Sequence, residues 1–287
     1  MLKPVVLSAN SFFCLVTVLV CSNCNTNAQY GSPGGYDFAN PQKKILPAAL
    51  HEISGIAVVK ENDSSILAIE DEGGKVFSFS MNNKELRNSK FGKKGDYEDV
   101  AILKDSRVAV LRGDGSIYLI RKHQLQKETA DSVKVYEHIL PEGEYEGLFA
   151  DNNTLCTLCK NCPGDKQKKE VSVYKLEVEG DLLRALTSFK IELPPIQAKQ
   201  EDGTNKFHPS GFAKHPVTHE WFIISSVNKL LLVLDEHWKV TAYYKLNPAL
   251  FNQPEGISFN SKGDLYISNE AGERAATVLL FKYRPVK

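Results

Sequence analysis

The stretch Pro254-Glu255-Gly256-Ile257-Ser258-Phe259 is a short turn that runs straight into an apolar strand, and four earlier stretches repeat it. They are Ile53-Ser54-Gly55-Ile56, Tyr97-Glu98-Asp99-Val100, Tyr145-Glu146-Gly147-Leu148 and Pro209-Ser210-Gly211-Phe212. The glycine position falls at residues 55, 99, 147, 211 and 256, at intervals of 44, 48, 64 and 45. One four-stranded unit needs about 40 to 50 residues and cannot bury both of its faces alone, so this period in a strand-rich chain predicts a propeller.

Working outward from each turn, alternation of apolar and polar residues marks the strands. After Gly55 come Ile56-Ala57-Val58-Val59, Ile66-Leu67-Ala68-Ile69, Val76-Phe77-Ser78-Phe79 and a polar segment from Leu86 to Phe91. The second, third and fourth turns are each followed by the same series. The expected fold is therefore all-β, a five-bladed β-propeller of four-stranded antiparallel blades. The last unit shows only three strands, at residues 257–259, 265–268 and 278–281. An unpaired blade edge invites aggregation, so the segment Lys44-Ile45-Leu46-Pro47 is expected to supply the missing outer strand and close the ring. Six blades is the alternative, reached by splitting the long third unit. Its extra length can instead be placed in the charged tip Pro163 to Lys169 and the polar loop Gln197 to Phe207.

The first 28 residues differ from the rest. Lys3 precedes the apolar run Phe12 to Val20, with no acidic residue before Tyr30. This reads as an export signal, with cleavage expected after Ala28. Cys21 and Cys24 leave a lipid anchor open as the alternative, which would be the protein's one link to a membrane. Residues 29–43, rich in Gly, Pro and Asn, read as a flexible tether, and residues 44–287 as the propeller domain. The chain carries 35 basic and 35 acidic residues, and loss of the leader removes one lysine. A balance this even argues against a nucleic-acid partner, which would demand a basic face.

The five turns taken in order, with Glu52 before the first, Gly95-Asp96 before the second, Glu144 before the third and Tyr266-Ile267-Ser268-Asn269-Glu270 after the last, resemble the SdiA-regulated protein family of bacteria over roughly residues 47 to 284. The resemblance implies an exported five-bladed propeller, distantly similar to NHL-repeat proteins, that holds a calcium ion and has no established catalytic activity. The cysteine-bearing hairpin at 156–162 departs from that pattern and inherits no role from it.

In a propeller the first strand of each blade lines the central channel, so the residue before each glycine position lies at one mouth. These residues are Ser54, Glu98, Glu146, Ser210 and Glu255. Carboxylates held close together raise one another's pKa or recruit a cation. Hard oxygen donors with no His or Cys beside them suit Ca²⁺, so Glu98, Glu146 and Glu255 are the expected metal ligands. Ion pairs of Glu98 and Glu146 with Arg112 and Lys160 are the competing reading. Turns after the second strands place Asp71, Arg112, Lys160 and Glu270 around the same axis, as candidate contacts for a small polar ligand. Among the cysteines beyond the leader, Cys156 shares a strand face with Leu158 and reads as packed. Cys159 and Cys162 read as a local disulfide, with zinc as the alternative lacking a fourth ligand nearby.

No Gly-x-Ser-x-Gly elbow, His-Glu-x-x-His, phosphate-cradling glycine loop or complete EF-hand loop occurs in the chain. The histidines are scattered, and His208 and His215 read as loop residues. The expected function is a calcium-bearing, exported propeller of the periplasm or cell surface, a monomer that binds a small polar ligand or an envelope protein. Two alternatives stand beside it. One is a metal-dependent hydrolase of phosphate esters or lactones, with Glu146 as base. The other is a purely structural envelope protein.

Overall fold

The computed structural model describes residues 30–59, 65–166, 169–195 and 206–285. Strand β1 (Gln42–Ile45) comes first, followed by four sheets in simple chain order. Blade 1 holds β2 (Ile53–Val58), β3 (Ser65–Glu70), β4 (Lys75–Ser80) and β5 (Leu86–Lys90). Blade 2 holds β6 (Tyr97–Ile102), β7 (Val108–Arg112), β8 (Ile117–Ile120) and β9 (Val133–Tyr136). Blade 3 holds β10 (Glu144–Asp151), β11 (Thr154–Asn161), β12 (Glu170–Glu179) and β13 (Leu182–Glu192). Blade 4 holds β14 (Gly211–Lys214), β15 (Trp221–Ser225), β16 (Leu230–Leu234) and β17 (Val240–Lys245). Blade 5 has β18 (Pro254–Phe259), β19 (Leu265–Asn269) and β20 (Thr277–Phe281), and β1 completes it from outside.

The molecule is a five-bladed propeller of four-stranded antiparallel sheets, closed by its N-terminal strand. Gln42 lies opposite Leu280 and Ile45 opposite Thr277. The closing strand starts two residues earlier than the sequence suggests. Pro47 has no N–H to give a ladder, and Leu46, whose N–H donates to Ala276 O at 2.9 Å, makes the last contact. No sixth sheet exists among the described residues. Part of the length of the third unit goes into strands: β12 and β13 run to 10 and 11 residues. The third and outer strands of the other blades have four to six.

The glycine repeat has a packing cause. A Cβ placed on Gly256 would lie 2.7 Å from Ser54 O and 2.8 Å from Ile56 N, and one on Gly211 would lie 2.5 Å from Glu255 O. Gly55 meets Asp99, and Gly147 meets Gly211 and Phe212. Each turn therefore rests against the equivalent turn of the next blade, and the five positions form the tightest ring around the axis. In blades 1, 2, 3 and 5 the inner strand carries a register shift at this point. Such a bulge bends the strand and re-aims the side chain before the glycine position.

Apolar layers fill the spaces between blades. Ile56, Ile66 and Phe77 of blade 1 pack with Tyr266, Val278 and Leu280 of blade 5. Leu158 and Val173 of blade 3 pack with Phe212 and Trp221 of blade 4. The described part of the segment read as a tether belongs to this packing, which corrects that expectation. Phe38 is buried, with its ring 4.6 Å from that of Phe281, and the Tyr36 hydroxyl donates to Gly263 O at 2.6 Å. Glycines and prolines set a flexible composition, but burying a ring the size of Phe38 contributes about 1.5 to 3 kcal/mol and holds the segment down. The leader read over residues 1–28, its cleavage point and the segment 196–205 lie outside the described residues.

Candidate functional site

At one end of the channel the residues before the glycine positions face one another. The two serines are absorbed by the fold. Ser210 Oγ donates to Pro254 O at 2.8 Å and accepts from Ser226 N at 3.1 Å, while the backbone of Ser54 accepts from Ser268 Oγ at 2.9 Å. The glutamates stay at the mouth. Glu146 is buried, and its Oε1 accepts from Lys160 Nζ at 2.5 Å. Lys160 reaches it from the end of β11, where Glu146 pairs with Leu158 and Tyr145 with Cys159.

Glu98 and Glu146 share a hydrogen bond. Burial, followed by the Glu146 charge, pushes Glu98 up to about 10. Burial raises Glu146 as well, opposed by Lys160 and by the hydrogen bond with Glu98. Glu255 is pushed up to about 8 by burial and then by Glu146, opposed by a hydrogen bond from the Ser226 side chain.

This donor set does not suit calcium, which gathers six to eight oxygens at 2.3 to 2.6 Å. One oxygen of the most buried glutamate already holds an ammonium, and the three glutamates of the mouth are not among the acidic groups whose oxygens converge. Among the described residues the acidic oxygens that do converge, within 4.8 Å of one another, belong to Glu52, Glu70 and Asp71. Burial and then the charges of Glu52, Glu70, Glu270 and Glu72 push Asp71 up to about 7. Its Oδ1 is buried with no hydrogen-bond partner among the described residues. Glu70 accepts from the backbone of Gly73 at 2.7 Å and of Glu72 at 3.2 Å. Glu270 is raised by burial and by Glu52, with Gln253 opposing.

Of the four residues expected to meet a polar ligand, Asp71, Lys160 and Glu270 lie at this end. Arg112 turns away, which corrects its placement at the axis. Its guanidinium donates to Asp114 at 2.5 and 3.0 Å, to the Tyr118 hydroxyl at 2.9 Å and to Ser116 Oγ at 3.1 Å. The ion pair expected for Lys160 forms with Glu146, and Glu98 has no arginine.

Asp99 is a buried carboxylate that sequence reading passed over. It occupies the glycine position of blade 2, where Oδ1 accepts from its own neighbour Val100 N at 2.8 Å and Oδ2 from Leu148 N of blade 3 at 2.6 Å. Burial raises its pKa well above the ordinary aspartate range, against the pull of those two N–H groups. Gly55 makes room for it, since a Cβ there would fall 2.0 Å from Asp99 Oδ1. The signal was available: Asp99 is the one side chain at five otherwise glycine positions.

Beyond this ring the channel widens into a cavity of about 520 Å³. Its walls include Ala57, Ala101, Phe149, Phe212, Ile257 and Phe259, and Asp151, Lys214, His219 and Ser258 add polar groups. Alternate backbone amides of the inner strands turn toward the axis, because the others pair with the second strands. Val58 N donates to Ser258 Oγ of the adjacent blade 5 in this way, at 3.1 Å. His215, read as a loop residue, is buried beside the cavity. Its Nδ1 accepts from Val217 N at 3.1 Å and Thr218 N at 3.0 Å, which puts the ring proton on Nε2. Burial pushes it down to about 4, so it is neutral, and it packs against Phe259 and Tyr283.

Cys159 and Cys162 are joined by a disulfide with Cα atoms 5.8 Å apart. Cys156 is buried and free, its thiol pushed up to about 11 by burial.

No model of a protein family matches the chain, and none of the curated proteins matches it in sequence. Solved structures of similar shape are β-propellers. They include a luciferin-regenerating enzyme at 10% identity and a TM-score of 0.54, with 86% of this chain and 97% of that one covered. U3-55K aligns at 10% identity and a TM-score of 0.50, with 84% and 98% covered. Virginiamycin B lyase from Staphylococcus aureus aligns at 13% identity and a TM-score of 0.46, with 83% and 69% covered. At such identities the likeness shows the fold alone.

Proposed function

We propose that the protein is an exported, non-catalytic propeller of the cell envelope, related to the SdiA-regulated family, that takes a small ligand into its channel from the end opposite the glutamates. The observation that carries this reading is the cavity of about 520 Å³, a size typical of small-molecule sites. Its apolar walls and polar backbone edges favour a ligand with an apolar body and a few hydrogen-bonding groups. Export rests on the leader pattern of residues 1–28 and is supported by the Cys159–Cys162 disulfide, a bond that persists in oxidising compartments. Kinship with the family rests on the five turns in order.

The arrangement favours binding over hydrolysis. A hydrolase needs a free carboxylate to deprotonate water, and Glu146 is held by Lys160 and Glu98. The cation that could steady a phosphate, Arg112, is held by Asp114. The test is uptake of an apolar fluorescent reporter, anilinonaphthalene sulfonate, by the folded protein. Ser258→Trp, which fills the cavity, is expected to abolish the emission gain while leaving the melting temperature nearly unchanged. Equal emission from both proteins would end the channel reading.

Calcium remains a second reading at a different place, favoured by the convergence of Glu52, Glu70 and Asp71 and by the unpartnered Asp71 Oδ1. Calorimetric titration of calcium into chelator-treated protein is expected to give heat that Asp71→Asn removes. No heat at millimolar calcium would refute it.

A further inference from the structure

We propose that the channel cavity is a site for a short apolar peptide, whose amide groups pair with the inward edges of the innermost strands. This rests on the channel reading and names the ligand class for it.

Backbone direction is the first argument. Val59 N donates to Ser65 O, Leu103 N to Arg107 O, His215 N to Glu220 O and Asn260 N to Asp264 O, each toward the second strand of its own blade. Successive residues of an antiparallel strand alternate in this direction. Val58, Ile102, Lys214 and Phe259 therefore turn their N–H and C=O groups to the axis. Ala150 does the same in blade 3, two residues beyond Leu148, whose N–H meets Asp99. A second inward level lies two residues earlier in each strand, at Ile56, Val100, Leu148, Phe212 and Ile257. Every one of these residues lines the cavity.

The second argument is which edges are already engaged. Asp99 accepts from both Val100 N and Leu148 N, and Ser258 Oγ accepts from Val58 N. Among the described residues no protein group pairs with the inward N–H of Phe212 and Lys214 in blade 4, or of Ile257 and Phe259 in blade 5. Buried backbone groups are almost always paired, so these two edges are built to meet something inside the channel. On each, the two inward residues are about 7 Å apart, the two-residue repeat of a strand. An extended peptide has the same repeat and can meet both levels of one edge with its own N–H and C=O groups, as in strand addition.

The third argument is why the edges stay open. Ser258 shows that a side chain two residues past the glycine position reaches the inward N–H of the next blade, at Val58. The equivalent residues are Ala57, Ala101, Phe149 and Ala213, none of which carries a polar side chain. Ala213 in particular leaves Phe259 N without the acceptor that Ser258 gives Val58 N. The rings of Phe149, Phe212 and Phe259 line the same space and suit apolar side chains. In such surroundings an unmade hydrogen bond is costly, so the edges select ligands that carry donors as well as acceptors.

The probe is N-acetyl-leucyl-leucine methylamide. Its comparator has an ester oxygen in place of the central amide N–H, which keeps the shape and removes one donor. Both are titrated into protein loaded with anilinonaphthalene sulfonate and followed by loss of emission. The amide is expected to displace the reporter, and the ester to need a concentration about tenfold higher. Ala213→Ser, which offers Phe259 N an internal acceptor, should weaken the amide about threefold or more while leaving reporter uptake and melting temperature unchanged. The ester comparison in the unaltered protein decides even if this variant fails to fold. Equal displacement by amide and ester, displacement by neither, or an amide response untouched by Ala213→Ser overturns the peptide site and leaves the channel reading standing. No uptake of the reporter at all ends both.

Discussion

The two ends of one channel are built from the same five strands and behave differently. At the end where the chain enters the inner strands, glycines bring backbone to within contact, and carboxyl groups share protons and an ammonium. At the other end the strands diverge and enclose a cavity walled by alanines and aromatic rings. The difference follows from where side chains are missing. At Gly211 and Gly256 backbone meets the backbone of the next blade, whereas at Val58 the contact with blade 5 is made through the Ser258 side chain.

That contrast can be broken by substitution along the single strand β18. Gly256→Ala adds a methyl group 2.7 Å from Ser54 O and 2.8 Å from Ile56 N, both in blade 1. It is expected to destabilise by about 3 kcal/mol or more in a denaturant melt, since backbone cannot step aside as a side chain can. Two residues further, Ser258→Ala should cost about 1 kcal/mol or less, the worth of one exchanged hydrogen bond. Similar costs at both positions would show that the two ends are equally tight.

A smaller effect is expected at the clamp between blades 2 and 3. Asp99→Asn keeps the shape but turns one acceptor into a donor, so either Val100 N or Leu148 N loses its partner. A loss of about 1 to 3 kcal/mol is expected, the cost of an unpaired buried polar group. A melt unchanged from wild type would mean that the carboxylate is not what joins these blades.

The smallest effect concerns pH. Asp71 has its carboxyl pushed up to about 7 from 3.8, so between those values the folded chain binds more protons than the unfolded one. Stability from this group is therefore full below about pH 4 and declines as pH rises to about 7. In chelator, Asp71→Asn should show a shallower fall of melting temperature over that window and should be the more stable protein at pH 8. Parallel profiles would sink the assignment.

The fold was legible because its signal is repeated: five turns at blade spacing, each followed by alternating strands, leave little freedom in the count. The closing strand could be inferred from a missing partner. Side-chain direction at strand ends was not legible. Arg112 and Lys160 both end second strands, yet Asp114 and Tyr118 draw the first outward, while the bonded turn Cys159–Cys162 keeps the second over the mouth. The packed segment around Tyr36 and Phe38 was hidden by its glycines and prolines, although two rings among them were a hint. The cavity carries no motif at all. It arises from the spacing between strands that are far apart in sequence.

The pairing of β1 with β20 also sets the order in which the molecule can be assembled. Gln42, near the start of the chain, finds its place only beside Leu280, near its end. Four blades can form from neighbouring segments as they become available, whereas the fifth must recruit a strand that has waited through nearly the whole domain. Contacts of such long range are slow to form. The ring therefore latches last at this seam, and opening of the native ring should begin there as well.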